Sequence, residues 1–154
     1  MAASEMREEK LGEQTQEIID SLAEWLCTAE FRVVKEQSWE LCTDKERNSR
    51  LKNLLAEPHV KDKVLETSRQ RIVRISGPQP GNFGSAQGPA YIYPLRIHDT
   101  TRPSVGSMSL RVGWFLEVKN PAFKITPGAD CLIILTVNSN VSQTTSAVGK
   151  FEIQ

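Results

Sequence analysis

The sequence predicts an α+β fold: an N-terminal helical hairpin packed on a five- to six-stranded, mainly antiparallel β-sandwich or half-barrel. Three observations carry this expectation. From Ser107 to Val118 (SMSLRVGWFLEV), Met108, Leu110, Val112, Trp114, Leu116 and Val118 alternate with mostly polar residues, the pattern of a strand with one buried face. From Lys10 onward, Leu11, Ile18, Leu22, Trp25, Leu26, Ala29 and Val33 recur at helical spacing, with Glu and Gln opposite. From Cys131 to Val137 (CLIILTV) both parities are apolar, as in a central strand covered on both sides. A chain of 154 residues suits one integrated domain and buries roughly 70% of its unfolded surface.

Within that domain, residues 1–9 are polar and expected to be flexible, residues 10–68 helical, and residues 69–154 β-rich. In the first helix Leu11, Ile18 and Trp25 repeat by seven, but Gln14, Ser21 and Thr28 occupy the alternate seam positions, so no coiled coil is expected. Phe31 to Cys42 reads either as an extension of this helix or as a short extended piece that dips Trp39 and Leu41 into the core. Thr43-Asp44-Lys45-Glu46 has the form of a capping box. It starts a second helix at Asp44, running through Leu51, Leu54 and Leu55 and interrupted near Pro58; His59 to Thr67 adds a turn or two.

At Arg69 the pattern changes. RQRIVRIS is a first strand, and Gly77 to Pro89 is too rich in Gly and Pro for regular structure. Pro89 to Ile97 is a second strand, with Tyr91, Tyr93, Leu95 and Ile97 on one face, while Pro94 demands an edge position or a bulge. His98 to Gly106 is a polar turn region leading into Ser107–Val118, where Gly113 marks a bulge or close approach beside Arg111 and Phe115. Trp114 is expected in the core, so that Trp114→Ala would cost about 3–5 kcal/mol. Ala122 to Ile125 is a candidate sixth strand, and Pro127-Gly128 fits the centre of a type II turn. Asn138 to Ser146 reads as a polar loop, and Ala147 to Ile153 as a closing strand.

Charge and cysteine usage narrow the function classes. The 19 basic and 19 acidic residues balance, which argues against a whole-molecule polyanion partner. The halves differ: residues 1–70 carry 11 Lys and Arg against 15 Asp and Glu, a net of −4, and residues 71–154 carry 8 against 4, a net of +4. Cys27, Cys42 and Cys131 leave at least one thiol unpaired and match no zinc spacing, so neither metal nor cofactor is expected. With no apolar leader and no run long enough to span a membrane, the chain is expected to be cytoplasmic with reduced thiols. Asn140-Val141-Ser142 is read as a chance sequon.

No catalytic constellation stands out. The two histidines, His59 and His98, sit near a helix start and at a strand end; Asp99 follows His98 directly, and neighbours on a strand point to opposite faces. The Gly-rich stretch lacks the ending of a phosphate loop. Its Phe83 is a candidate anchor that orders on meeting a partner. In the β half, Arg71, Arg74, Arg96, Arg111 and Lys119, with Phe115, are candidates for a surface that pairs phosphates and stacks bases, although Arg71 and Arg74 have opposite parity. Leu11, Ile18, Leu22 and Trp25 are the candidate helix face for self-association. The expected function is a non-enzymatic structural or interaction protein, in the style of a small viral accessory or structural protein, that self-associates and binds a macromolecular partner, a protein first, through the β-domain. The alternatives are RNA or DNA binding through the arginines and, a distant third, a hydrolytic enzyme.

Overall fold

The computed structural model describes residues 6–65, 68–85 and 88–136. Its elements, in chain order, are β1 (Met6–Lys10), α1 (Glu13–Leu26), β2 (Phe31–Val33), β3 (Glu40–Cys42), α2 (Arg47–Leu55), α3 (Pro58–Lys61), β4 (Ser68–Ile75), β5 (Gly81–Gly84), β6 (Ala90–Ile97), β7 (Ser104–Val105), β8 (Met108–Ser109), β9 (Trp114–Val118), β10 (Ala122–Ile125) and β11 (Ala129–Thr136). Seven strands form one antiparallel sheet in the order β1-β9-β6-β11-β4-β3-β2, and two ribbons, β10-β5 and β7-β8, stand apart from it. The fold is therefore α+β. The helices cover one face of the sheet, the ribbons cover the other, and no closed barrel forms among the described residues.

The two faces explain the apolar patterns. β11 is central, paired with β4 on one side and β6 on the other, and its alternate residues enter different cores. Leu132 and Ile134 join Ile19, Leu22, Trp25, Leu26, Leu54 and Tyr93 under the helices. Cys131 and Ile133 join Val73, Ile92, Leu116, Phe123 and Ile125 under the ribbons. Continuous apolarity in CLIILTV is what burial on both faces requires.

Several expectations are corrected. Residues 6–10 form a strand, β1, which pairs with β9 from Met6↔Val118 to Lys10↔Trp114. Ion pairs support it, across the strands from Arg7 Nε to Glu117 Oε1 at 2.9 Å and from Arg111 Nη2, ahead of β9, to Glu8 Oε1 at 2.8 Å, and charge suits an outermost strand. α1 and α2 do not follow each other through a turn, because Phe31 to Cys42 forms the hairpin β2-β3 between them; Trp39 and Leu41 are buried as expected. Thr43 does not cap α2. The Asp44 carboxylate accepts from the Glu46 and Glu30 amides, each at 2.9 Å, and these bonds hold its pKa below the usual carboxylate range. Residues 58–61 alone form α3.

Within the glycine-rich stretch, β5 pairs with β10 in register Phe83↔Phe123. Pro94 lies in a central strand, and the bulge alternative is the one realised. Asp130 faces Arg96 while Cys131 faces Pro94, leaving Leu95 as the extra residue, so Ile97 moves to the ribbon face and away from Tyr91 and Tyr93. The stretch 107–118 is not one strand. Gly113 takes φ +100°, a value that favours glycine, and breaks it into β8 and β9. Val112 is 39% exposed and Trp114 half-buried, whereas Phe115 is only 1% exposed on the helix face and Leu116 1% exposed on the ribbon face. The expected loop and closing strand after Val137 lie outside the described residues, as does Asn140.

Candidate functional site

Strand parity and pairing place the candidate site on the ribbon face. Arg71 lies opposite Ile133 across β4 and β11, and Val73 lies opposite Cys131, so all four side chains leave the same side of the sheet. β5 and the turn after β2 close over this floor. The result is an open cleft of about 180 Å³ lined by Val34, Trp39, Val73, Phe83, Ile133 and Leu135, with Gln37, Arg71, Asn82 and Gly84 completing it. Its aromatic wall is built by packing: the Trp39 and Phe83 rings are 5.1 Å apart, and Phe83 stacks on Phe123 at 5.8 Å. Ser38 Oγ donates to the Pro80 carbonyl at 2.5 Å, tying the β2-β3 turn to the approach of β5. The buried Trp39 indole N–H meets no acceptor among the described residues.

A second polar feature lies on the helix face. Asp130 is fully buried and accepts Arg74 Nε at 2.9 Å, Arg74 Nη2 at 3.0 Å and Arg96 Nη1 at 3.3 Å, with His98 Nε2 at 2.9 Å from Oδ1. Arg74 also donates to the Leu26 carbonyl at 3.0 Å and lies 3.8 Å over the Phe31 ring. The carboxylate raises the Arg74 pKa, and the group ties the end of α1 to three strands. Two guanidiniums supply the counter-charge of the Asp130 carboxylate, and through Arg74 and the Leu26 carbonyl the cluster clamps the end of α1 to the sheet.

These placements sort the sequence candidates. Arg71 and Phe83, expected to serve different roles, meet in the cleft. Phe83 is not an exposed anchor but a buried wall residue, because pairing with β10 turns it inward. Arg74 and Arg96 are committed to Asp130. Arg111 pairs with Glu8 and lies 4.2 Å over the Trp114 ring at the far edge of the sheet. Lys119 is exposed beyond β9. Phe115 stacks on Tyr93 at 5.0 Å and has no surface for a base. These basic residues therefore lie on both faces of the sheet and beside its β1 edge, not on one surface. Leu11, Leu22 and Trp25 are buried against the chain's own sheet, and Ile18 is half-buried beside them.

Sequence reasoning missed Asp130, whose three partners lie 32 to 56 residues away. It also missed Trp39 and Leu135 as cleft residues, since each reads only as apolar. Among the described residues, no group of three or more His, Cys, Asp and Glu could hold a metal, and no helix is long and apolar enough to cross a membrane. Compared with known proteins, the chain matches no described family, no curated protein and no solved structure.

Proposed function

We propose that this is a non-enzymatic interaction protein whose β-domain seats one apolar side chain of a protein partner in the Trp39–Phe83 cleft. The observation that carries this reading is the cleft itself, an apolar floor and aromatic wall open to solvent. Its size supports a side chain over a substrate or cofactor, because small-molecule sites usually occupy roughly 300–1,000 Å³. Arg71, Gln37 and Asn82 supply polar groups beside the apolar lining, the arrangement that orients a bound chain around a buried anchor.

The test is a titration of the ¹⁵N-labelled protein with N-acetyl-leucine amide, followed through the three tryptophan indole resonances. The expected result is a saturable shift of the Trp39 indole and of the Phe83 and Leu135 amides, with Trp25 and Trp114 unmoved. No shift up to the solubility limit, or shifts spread equally over all three indoles, would overturn the reading.

A further inference from the structure

The seven-stranded sheet ends at two outermost strands, β1 and β2. β1 is guarded by Arg7, Glu8, Glu9 and Lys10 in succession, and such charge discourages a further strand from pairing. β2 has no such guard. Its sequence is Phe31-Arg32-Val33, and Val33 is 69% exposed. The ladder to β3 fixes which backbone groups of β2 are in use. The Thr43 amide donates to the Glu30 carbonyl at 3.0 Å and the Val34 amide to the Trp39 carbonyl at 3.4 Å, both in the register that sets Arg32 opposite Leu41. Bonded residues alternate in an antiparallel pair, so Glu30, Arg32 and Val34 turn their N–H and C=O groups to β3 while Phe31 and Val33 turn theirs outward. Among the described residues, no strand lies on that outer side.

We propose that this edge pairs with the β2 edge of a second copy, antiparallel about a two-fold axis. A two-fold contact requires one surface to match itself, and β2 does so when Phe31 lies opposite Phe31 of the second copy. Odd-numbered residues then meet odd-numbered residues, so outward donors face outward acceptors. On the helix face Val33 comes opposite Ala29 of the second copy. Ala29 and Phe31 both pack against the helix-side core, so this row is apolar throughout. On the ribbon face, where Val34 is buried, Arg32 comes opposite Glu30 of the second copy and Glu30 opposite its Arg32, two pairs of opposite charge. Both residues are exposed. Arg32 also makes a contact within its own chain, and the pairing draws on its charge rather than on a free guanidinium. Setting Phe31 against Val33 instead would place Arg32 directly against Arg32, a like-charge contact, so charge selects the first register.

Sedimentation of the full chain from about 10 µM to about 1 mM tests this, and a concentration-dependent dimer is expected. Hydrogen exchange at the Phe31 and Val33 amides is expected to slow as concentration rises, while the Arg32 amide, which already faces β3, stays unchanged. Val33→Lys, at an exposed position, is expected to weaken the dimer at least about tenfold. Glu30→Arg is expected to weaken it about tenfold, and adding Arg32→Glu to restore most of that loss. A chain that stays monomeric throughout, leaving the edge to a foreign strand, would overturn the proposal. So would self-association that Val33→Lys leaves intact, or a charge swap that restores nothing. Slow exchange at Phe31 and Val33 that ignores concentration would also overturn it, since the chain would then cover its own edge. The exchange comparison uses the native chain and does not depend on a variant folding. None of Phe31, Arg32 and Val33 lines the Trp39–Phe83 cleft, so failure here leaves the Trp39 indole titration free to succeed, and the reverse also holds.

Discussion

Asp130 is the hinge of the polar network on the helix face. Its fully buried carboxylate takes both Arg74 contacts, Arg96 and His98. Removing it leaves two partly buried guanidiniums without their counter-charge, so Asp130→Ala is expected to destabilise the fold by about 3–5 kcal/mol, measured by urea denaturation. Tyr93 points the other way. Its ring stacks on Phe115, but its buried hydroxyl meets no acceptor among the described residues. Tyr93→Phe keeps the stack and removes an unsatisfied group, and a stabilisation of about 1 kcal/mol, seen as a higher urea midpoint, is expected. The neighbouring pair 114 and 115 tests which ring is core. Phe115→Ala should cost about 3–5 kcal/mol, whereas half-buried Trp114 should cost only about 1–2 kcal/mol on the same assay.

At the scale of elements, glycines with positive φ decide where strands stop. Gly113 ends the strand that the alternation from Met108 to Val118 would otherwise continue, and its carbonyl accepts the Leu11 amide at 2.8 Å, joining the start of α1 to the sheet. Gly128, at φ +123°, opens β11. A Cβ there would lie 2.3 Å from Thr101 Oγ1, which itself donates to the His98 carbonyl at 2.6 Å and lies 3.0 Å from the Gly128 carbonyl. Gly128→Ala therefore meets both backbone strain and a clash with a hydrogen-bonded side chain, and a loss of at least about 2 kcal/mol is expected in denaturant unfolding. The β6 bulge has a comparable consequence. By inserting Leu95, it accommodates Pro94 in a central strand and turns Arg96 onto the helix face, where it reaches Asp130.

For the whole molecule, covering both sheet faces sets the pH range of stability. Burial pushes the Cys42 and Cys131 thiols above their ordinary value of 9.0 and the Tyr93 hydroxyl above 10.0. The folded chain thus keeps protons that the unfolded chain releases, so this stability is fully present below about pH 9. It falls as pH rises through 9 and 10, by up to about 1.4 kcal/mol per pH unit for each group. Urea midpoints measured across this window are expected to decline steadily above pH 9; a flat profile would show that these groups ionise freely in the folded protein.

Local pattern determined much of this protein. The apolar parities of CLIILTV specify a doubly covered strand, the stripe through Leu11, Leu22, Trp25 and Leu26 specifies a helix with a core face, and Gly113 and Gly128 mark the breaks, because each depends on residues a few positions apart. The alternation around Trp114 misled because both faces of the sheet are buried, so the apolar residue on either parity can be core. Only the tertiary structure decided which distant residues become neighbours. Strand order brings Arg74, Arg96 and His98 to Asp130, and the β5-β10 pairing turns Phe83 inward to face Trp39. The candidate cleft exists through those pairings alone. They are set by which strands lie side by side in the sheet and ribbons, a relation that spacing along the chain does not encode.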